Sequence, residues 1–445
     1  MSKFSPIWFL IGLGSGLQVI ASLSITEAFV LAMAPILIAQ DWEVMRKHGV
    51  LPFFRITLLL PVGSLIACLV NEPPAYFFLR GMAVSCIVPC SVVFAHHFLN
   101  KDMNGVKWFF VGGVISMFLN TFIFQSVAER VMLAGGASGE KAVEAIMSGP
   151  VYWMYRLKPL VTLPIRGWYL STPLFYSIIA PLGFAVFSLL LSGSGRSTAL
   201  VSFMAVVFTV LGRKKIRTMR LLSKHFMLFI FVGFSCLFLF KVLYQKAALS
   251  GMLGDAHLKK YVQQTKGKND IVSIIMGGRL SSFVGYLACL DRPIVGFGPF
   301  ALDEKGYTEE FLKKYGNEED YDNYLANLAW ESGQGMTKCH VIPAHSSIVV
   351  CWLQFGIAGL IFWVYVLYAL YRYLRFDVAV VPQWYGWLAC GAPGILWDAF
   401  FSPFSGRLGV PMFIVACLLA RAIRQRKMNM PFGMIAEIAK AERRR

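Results

Sequence analysis

The chain has 445 residues, of which 57% are hydrophobic and 15% charged, with a mean hydropathy of +0.61. That balance lies far beyond ordinary globular usage and is the composition of a polytopic membrane protein. The net charge of +18 does not imply nucleic acid, because the basic residues gather in short runs between apolar stretches, as at Gly212–Arg220 (GRKKIRTMR) and Arg421–Lys427 (RAIRQRK), the bias of cytoplasmic loops.

A crossing needs about 20 mostly apolar residues. By that rule spans are expected near 5–22, 25–40, 54–71, 75–95, 106–127, 172–192, 197–212, 225–245, 346–370, 379–400 and 407–423. The N-terminal MSKFSPIWFLIGLGSGLQVI has one lysine before its apolar run and no small-residue cleavage pattern, so it reads as an uncleaved first span. From a cytoplasmic basic C-terminus, 213–224 falls inside and 246–344 outside. From an inside N-terminus, Asp41–Gly49 falls inside and Asn71–Pro74 outside. The two readings agree only with one more crossing, placed near 143–160 and followed by the basic segment RLKPLVTLPIR. The alternative leaves 128–171 as an extracytoplasmic loop with interfacial helices and puts the N-terminus outside. The expected fold is therefore all-α: a membrane bundle of about 12 transmembrane helices with one large extracytoplasmic loop containing short amphipathic helices. It forms one integrated membrane domain, with an N-terminal bundle over 1–245, the loop over 246–344, C-terminal helices over 345–423 and a basic cytoplasmic tail over 424–445.

Within the loop, Arg279–Leu290 carries apolar residues at 280, 283, 284, 287 and 290, the spacing of one helical face. Such a helix is expected along the membrane surface or on the outer ends of the spans. The acidic run Asn317–Tyr324 lacks the glycine and spaced ligands of a calcium loop and reads as solvated. The nine cysteines show no metal-ligand or CxxC spacing, and no metal or other cofactor is expected. Only Cys289 and Cys339 fall in the loop, where an extracytoplasmic location would permit a disulfide.

Few residues remain that can do chemistry at the outer side: Arg196, Arg279, Arg292, His345, Asp398, Arg407 and, about two turns into its span, Arg80. An arginine inside a span faces a cavity or the bundle interior, or snorkels to the interface. Arg196 and His345 each precede a span starting on the outer side, so both stand beside the positive end of a helix dipole, and together they make an anion site. Taken singly, each reads equally as a cap or interfacial residue. Gly356 and Gly359, about three turns beyond His345, suit close packing against a neighbouring helix.

Arg196–Leu200 (RSTAL) separates an arginine and a leucine by three residues, and His345-Ser346 is followed after nine residues by Gly356. Both patterns resemble those of the bacterial O-antigen ligase and O-antigen polymerase family of lipid-linked glycan transferases. Gly277–Phe300 is similar to that family's arginine-bearing helix with its Pro and Gly-x-Gly turn, and FGIAGLIFW to its helix after the histidine. The resemblance covers roughly 172–370. It departs at Ser346, where many members have asparagine, and in lacking glycine directly after Arg196.

The resemblance implies a metal-independent inverting glycosyltransferase at the outer face of a bacterial inner membrane. Its donor is a polyprenyl-diphosphate-linked oligosaccharide, its acceptor a glycan or lipid-linked glycan, and its other partners membrane lipids. The chemistry fits these residue types. A departing diphosphate needs its charge neutralised, which planar arginines do with bidentate contacts, Arg196 and Arg279 first and Arg80 as a third. A sugar hydroxyl is a poor nucleophile that a histidine such as His345 orients or deprotonates. Arg292, Arg407 and Asp398 complete the expected substrate contacts. Asp398 either orients the histidine or holds a sugar hydroxyl, against the reading in which it pairs with Arg407. No paired carboxylates appear, which argues against two-acid hydrolysis. Polymerisation leads, with ligation to a lipid A core or a protein side chain as alternatives. A lipid-linked glycan flippase is the reading from another class; it favours internal repeats and broken helices, and no repeated halves appear.

Overall fold

The computed structural model describes residues 5–14, 18–20, 23–101, 280–299, 301–315 and 341–372, with scattered positions between 108 and 119, 242 and 250, and 395 and 400. This part is mostly helical. The first helix, α1, spans Ser5–Gly14, only 10 residues. The expected span over 5–22 is therefore not one helix: beyond Gly14 the chain pairs β1 (Gln18–Ile20) antiparallel with β2 (Leu23–Ser24). The cause lies in the glycine-rich GLGSG and in crowding. Glycine is a weak helix former, and a Cβ on Gly14 would lie 2.7 Å from Thr26 Oγ1. That hydroxyl donates to the Ile11 carbonyl at 2.5 Å, tying α1 to the next helix.

α2 runs from Ile25 to Lys47, longer than the expected 25–40. It starts on a capping box, in which Ser24 Oγ accepts from Glu27 N at 3.1 Å and Glu27 Oε2 from Ser24 N at 2.8 Å. α3 (Leu51–Thr57) and α4 (Leu59–Asn71) follow, interrupted only at Leu58. α4 stops where Glu72 turns left-handed at φ 46° before two prolines that cannot continue it. α5 extends over Ala75–Lys101. Among the described residues, three helices are long and apolar enough to cross a membrane, Ile25–Lys47, Leu51–Asn71 and Phe77–Phe98, in the places of the expected spans 25–40, 54–71 and 75–95. The chain is a membrane protein.

Further along come α6 (Leu280–Asp291), α7 (Tyr307–Tyr315), α8 (Ser347–Phe355) and α9 (Ile357–Arg372). The expected span over 346–370 is thus two helices. Gly356 separates them at φ 60°, ψ −148°, a conformation open essentially to glycine alone. The second helix folds back on the first. Trp363 Nε1 donates to Cys351 Sγ at 3.1 Å, whereas residues twelve apart in a continuous helix lie about 18 Å apart. Gly359 makes the approach feasible, since a Cβ there would sit 2.0 Å from the Cys351 carbonyl oxygen.

α6 forms where its periodicity places it, and the apolar stripe divides between the protein interior and the outer surface. Val284, Ala288 and Cys289 are buried, whereas Phe283, Leu287 and Leu290 are exposed. The small Gly285 selects that face by letting α6 approach Ala344 and Val349; a Cβ there would meet them at 2.8 and 3.0 Å. The expected spans 143–160, 172–192, 197–212 and 407–423 lie outside the described residues. Those at 106–127, 225–245 and 379–400 are met only at scattered helical positions.

Candidate functional site

His345 is exposed one residue before the N-cap of α8. The cap is Ser346, extended at φ −128°, ψ 126°, whose hydroxyl oxygen accepts from Val349 N at 3.4 Å while its hydrogen goes to the Ala399 carbonyl at 2.8 Å. A hydroxyl has one hydrogen and two lone pairs, so both bonds coexist. Ser346 and Ala399 are buried. That bond ties the head of α8 to the segment around Ala399, and His345 and Asp398 each stand one position from it along the chain. The segment leading into the site is fastened as well. Ile342 N donates to the Ala301 carbonyl at 2.8 Å, and Leu302 bridges Val341.

Arg80 stands half-buried near the start of α5. Its neighbour Gly81 lies so close to Pro299 that a Cβ would fall 2.0 Å from that ring. Only two positions separate Pro299 from Ala301 and three separate Ile342 from His345. The 292–302 loop therefore links the turn bearing Arg80 to the head of α8.

Arg292 has structural partners at the other end of that loop. Its Nη1 donates to Asn71 Oδ1, and its guanidinium lies 5.0 Å from the centroid of the Phe297 ring. The Asn71 amide donates to the Ala67 and Gly296 carbonyls at 2.7 and 3.2 Å. Phe297 N donates to Leu353 O at 2.7 Å and Ile357 N to Ile294 O at 3.0 Å. Arg292 thus clamps three pieces together: the end of α4, the glycine-rich turn and the reversal at Gly356. The sequence places Asn71 at the outer end of the expected span 54–71, with no partner for it. The available signal was its amide at a helix end, which carries two donors and an acceptor.

Around α6 and α7 most of the polar groups are paired locally, the buried Thr308 hydroxyl excepted. Asp303 caps α7 with both oxygens, accepting from Tyr307 N at 2.7 Å and Thr308 N at 2.8 Å. Lys305 and the Tyr307 hydroxyl both donate to Asp291, and these bonds, Lys305 first, hold its carboxyl below the usual range. Burial, then the bond to Asp291, pushes the Tyr307 hydroxyl upward. Cys289 is a free, buried thiol pushed up to about 12 by burial, with Sγ 3.7 Å from the Val349 carbonyl. Cys339, the partner the sequence offers it for a disulfide, lies outside the described residues, and α6 turns the Cys289 side chain into the contact with α8.

Arg196, Arg279 and Arg407 lie outside the described residues. One polar group escaped the sequence reading altogether: His96 and His97, adjacent in the apolar middle of FAHHF, meet Asp41 and His48 inside the helical core. Among the described residues no group of three or more histidines, cysteines or carboxylates is placed to hold a metal ion. Fold and site together define a helical membrane protein with a polar rim at the head of a short helix. No family model, curated protein or solved structure matches the chain.

Proposed function

We propose that this protein is a multi-pass glycosyltransferase of a bacterial inner membrane, moving an oligosaccharide from a polyprenyl-diphosphate donor to a glycan acceptor at the outer face. Polymerisation of lipid-linked repeats is the leading form; transfer to a lipid A core or a protein side chain is the alternative. The observation that carries the reading is the exposed imidazole of His345 at the head of α8, beside the α8 N-terminus and one residue from the contact that brings in Asp398. In the proposed step the bond from the anomeric carbon to the diphosphate oxygen breaks while the acceptor oxygen bonds to that carbon from the opposite side. The acceptor proton passes to His345, and Arg196 and Arg279, with Arg80, take up the charge of the departing diphosphate. Asp398 orients the imidazole or a sugar hydroxyl, and no metal takes part. Arg292, engaged with Asn71, contributes by holding the loop.

The test is to incubate purified full-length protein with a polyprenyl-diphosphate oligosaccharide, with and without candidate acceptors. Wild type is expected to form product and His345→Ala to lose about 10²–10⁴-fold in rate while still binding donor. Near wild-type turnover in the variant would reduce His345 to a residue of the helix entrance. A second reading, a lipid-linked glycan transporter, is favoured by the break at Gly356, since discontinuous helices are a transporter device. Movement of the donor across reconstituted vesicles without any new glycosidic bond would favour it instead.

A further inference from the structure

Away from the rim, a chain of ionisable side chains runs through the most enclosed part of the described helices. From Ser91 to Phe98 every residue of α5 is buried, and there it carries His96 and His97, 0% and 6% exposed. His97 is met at both ring nitrogens and His96 at one. His48, in the turn after α2, places Nδ1 3.1 Å from His96 Nε2. Asp41 of α2 places Oδ2 2.7 Å from His97 Nδ1 and 3.9 Å from His96 Nδ1. Lys101, one turn farther along α5 and exposed, places Nζ 2.8 Å from His97 Nε2. An ammonium only donates, so His97 Nε2 accepts and its hydrogen resides on Nδ1, facing Asp41. The His48–His96 contact shares one hydrogen between two nitrogens. His96 Nδ1 is left buried without a hydrogen-bond partner, and a movement of about 1 Å would bring it within reach of Asp41.

The other charges on the surrounding elements are engaged or exposed elsewhere. Glu43 and Arg46 of α2 pair with each other at the surface, Glu27 closes the capping box at the far end of α2, Lys47 and Arg55 are exposed, Arg80 stands about four to five turns back along α5, and α1 and α4 carry no charged residue. A network serving only to pack helices gains nothing from an unpaired buried nitrogen, which is costly. Ionisable side chains within membrane helices recur as proton relays.

We propose that Lys101, His97, Asp41, His96 and His48 form a proton-transfer chain between the protein surface and the buried His48. Lys101 passes a proton to His97 Nε2 as His97 Nδ1 releases one to Asp41, leaving His97 neutral in its other tautomer. Asp41 then protonates His96 Nδ1 as His96 Nε2 gives its hydrogen to His48 Nδ1. One positive charge has moved from Lys101 to His48, and solvent reprotonates Lys101.

The experiment follows the exchange of the His96 ring hydrogen into deuterated water, using full-length protein with nitrogen-15 histidine in lipid nanodiscs. Lys101→Arg keeps the charge but cannot release its proton. The chain therefore predicts exchange slowed by about 10²-fold, the lower end of what a positioned proton-transfer group contributes. Asp41→Asn is expected to slow it likewise, and Glu43→Gln, off the chain, to leave it unchanged. Wild-type or faster exchange in Lys101→Arg overturns the proposal, because solvent then reaches His96 without passing through Lys101. Should Asp41→Asn fail to fold, the exposed Lys101→Arg and the wild-type spectrum still decide. A neutral His97 with its hydrogen on Nδ1 supports the chain, and one with its hydrogen on Nε2 overturns it.

Discussion

Arg292 shows how a charged residue near a proposed anion site can be engaged elsewhere. Its bond to Asn71 joins segments more than two hundred residues apart, while its guanidinium lies over Phe297 in its own loop. Truncating either partner strands the other's polar group, so the two losses should not add. We expect Arg292→Ala and Asn71→Ala to show a coupling of about 0.5–3 kcal/mol in a double-mutant cycle of detergent unfolding; additive losses would mean that the two act separately. Cys289 supplies a second test at this scale. Thiolate is the reactive form, and burial holds the thiol protonated far above neutral pH. Alkylation at pH 8 should spare Cys289 in the folded protein and modify it after unfolding without reductant, as mass spectrometry of the Cys289 peptide would show. A residue that stays unmodified until reduced would be disulfide-bonded.

Among the elements, the α8–α9 turn depends most on a single residue. Gly356 combines a glycine-only backbone with a site where a Cβ would fall 2.0 Å from the Ile294 carbonyl oxygen. Gly306 also has positive φ, at 74°, but has open space around it. Gly356→Ala should therefore cost well beyond the roughly 1–3 kcal/mol of backbone strain alone. Gly306→Ala should cost no more than that strain. Thermal unfolding of the two variants side by side checks the difference, and equal losses would show that crowding at Gly356 is relieved at no cost. The same reliance on small residues sets the face of α6, where Gly285 brings Val284, Ala288 and Cys289 inward and leaves the bulkier Phe283, Leu287 and Leu290 outward.

For the whole molecule, sidedness is the property on which the proposed chemistry rests. A helix of 10 residues is about 15 Å long, half a hydrocarbon core, so α1 does not cross unaided. Nor do α8 and α9 form one continuous span. Crossings therefore cannot be counted from apolar length alone, and the lysine and arginine bias becomes the main guide. Single cysteines placed at Arg46 and Glu304, both exposed, in a background without other reactive cysteines should label from opposite sides, Arg46 from the cytoplasm and Glu304 from outside. Labelling of both from one side would remove the outer-face mechanism.

Local chemistry was legible in the amino-acid sequence. Apolar length marked the chain as a membrane protein and located the helices that contain 25–40, 54–71 and 75–95, and periodicity placed a helix at 280–291. The polar HSS before an apolar run put His345 at a helix entrance. These features depend on neighbours along the chain, for which hydropathy and capping are sufficient guides. Tertiary contacts decided the rest: the stop at Gly14, the reversal at Gly356, the buried face of α6, the Arg292–Asn71 clamp and the histidine–aspartate chain. Each depends on distant groups meeting, Gly14 with Thr26, Ile294 with Ile357, His48 with His96. Hydrophobic periodicity records that a residue is apolar or polar, but not which distant backbone will press against it.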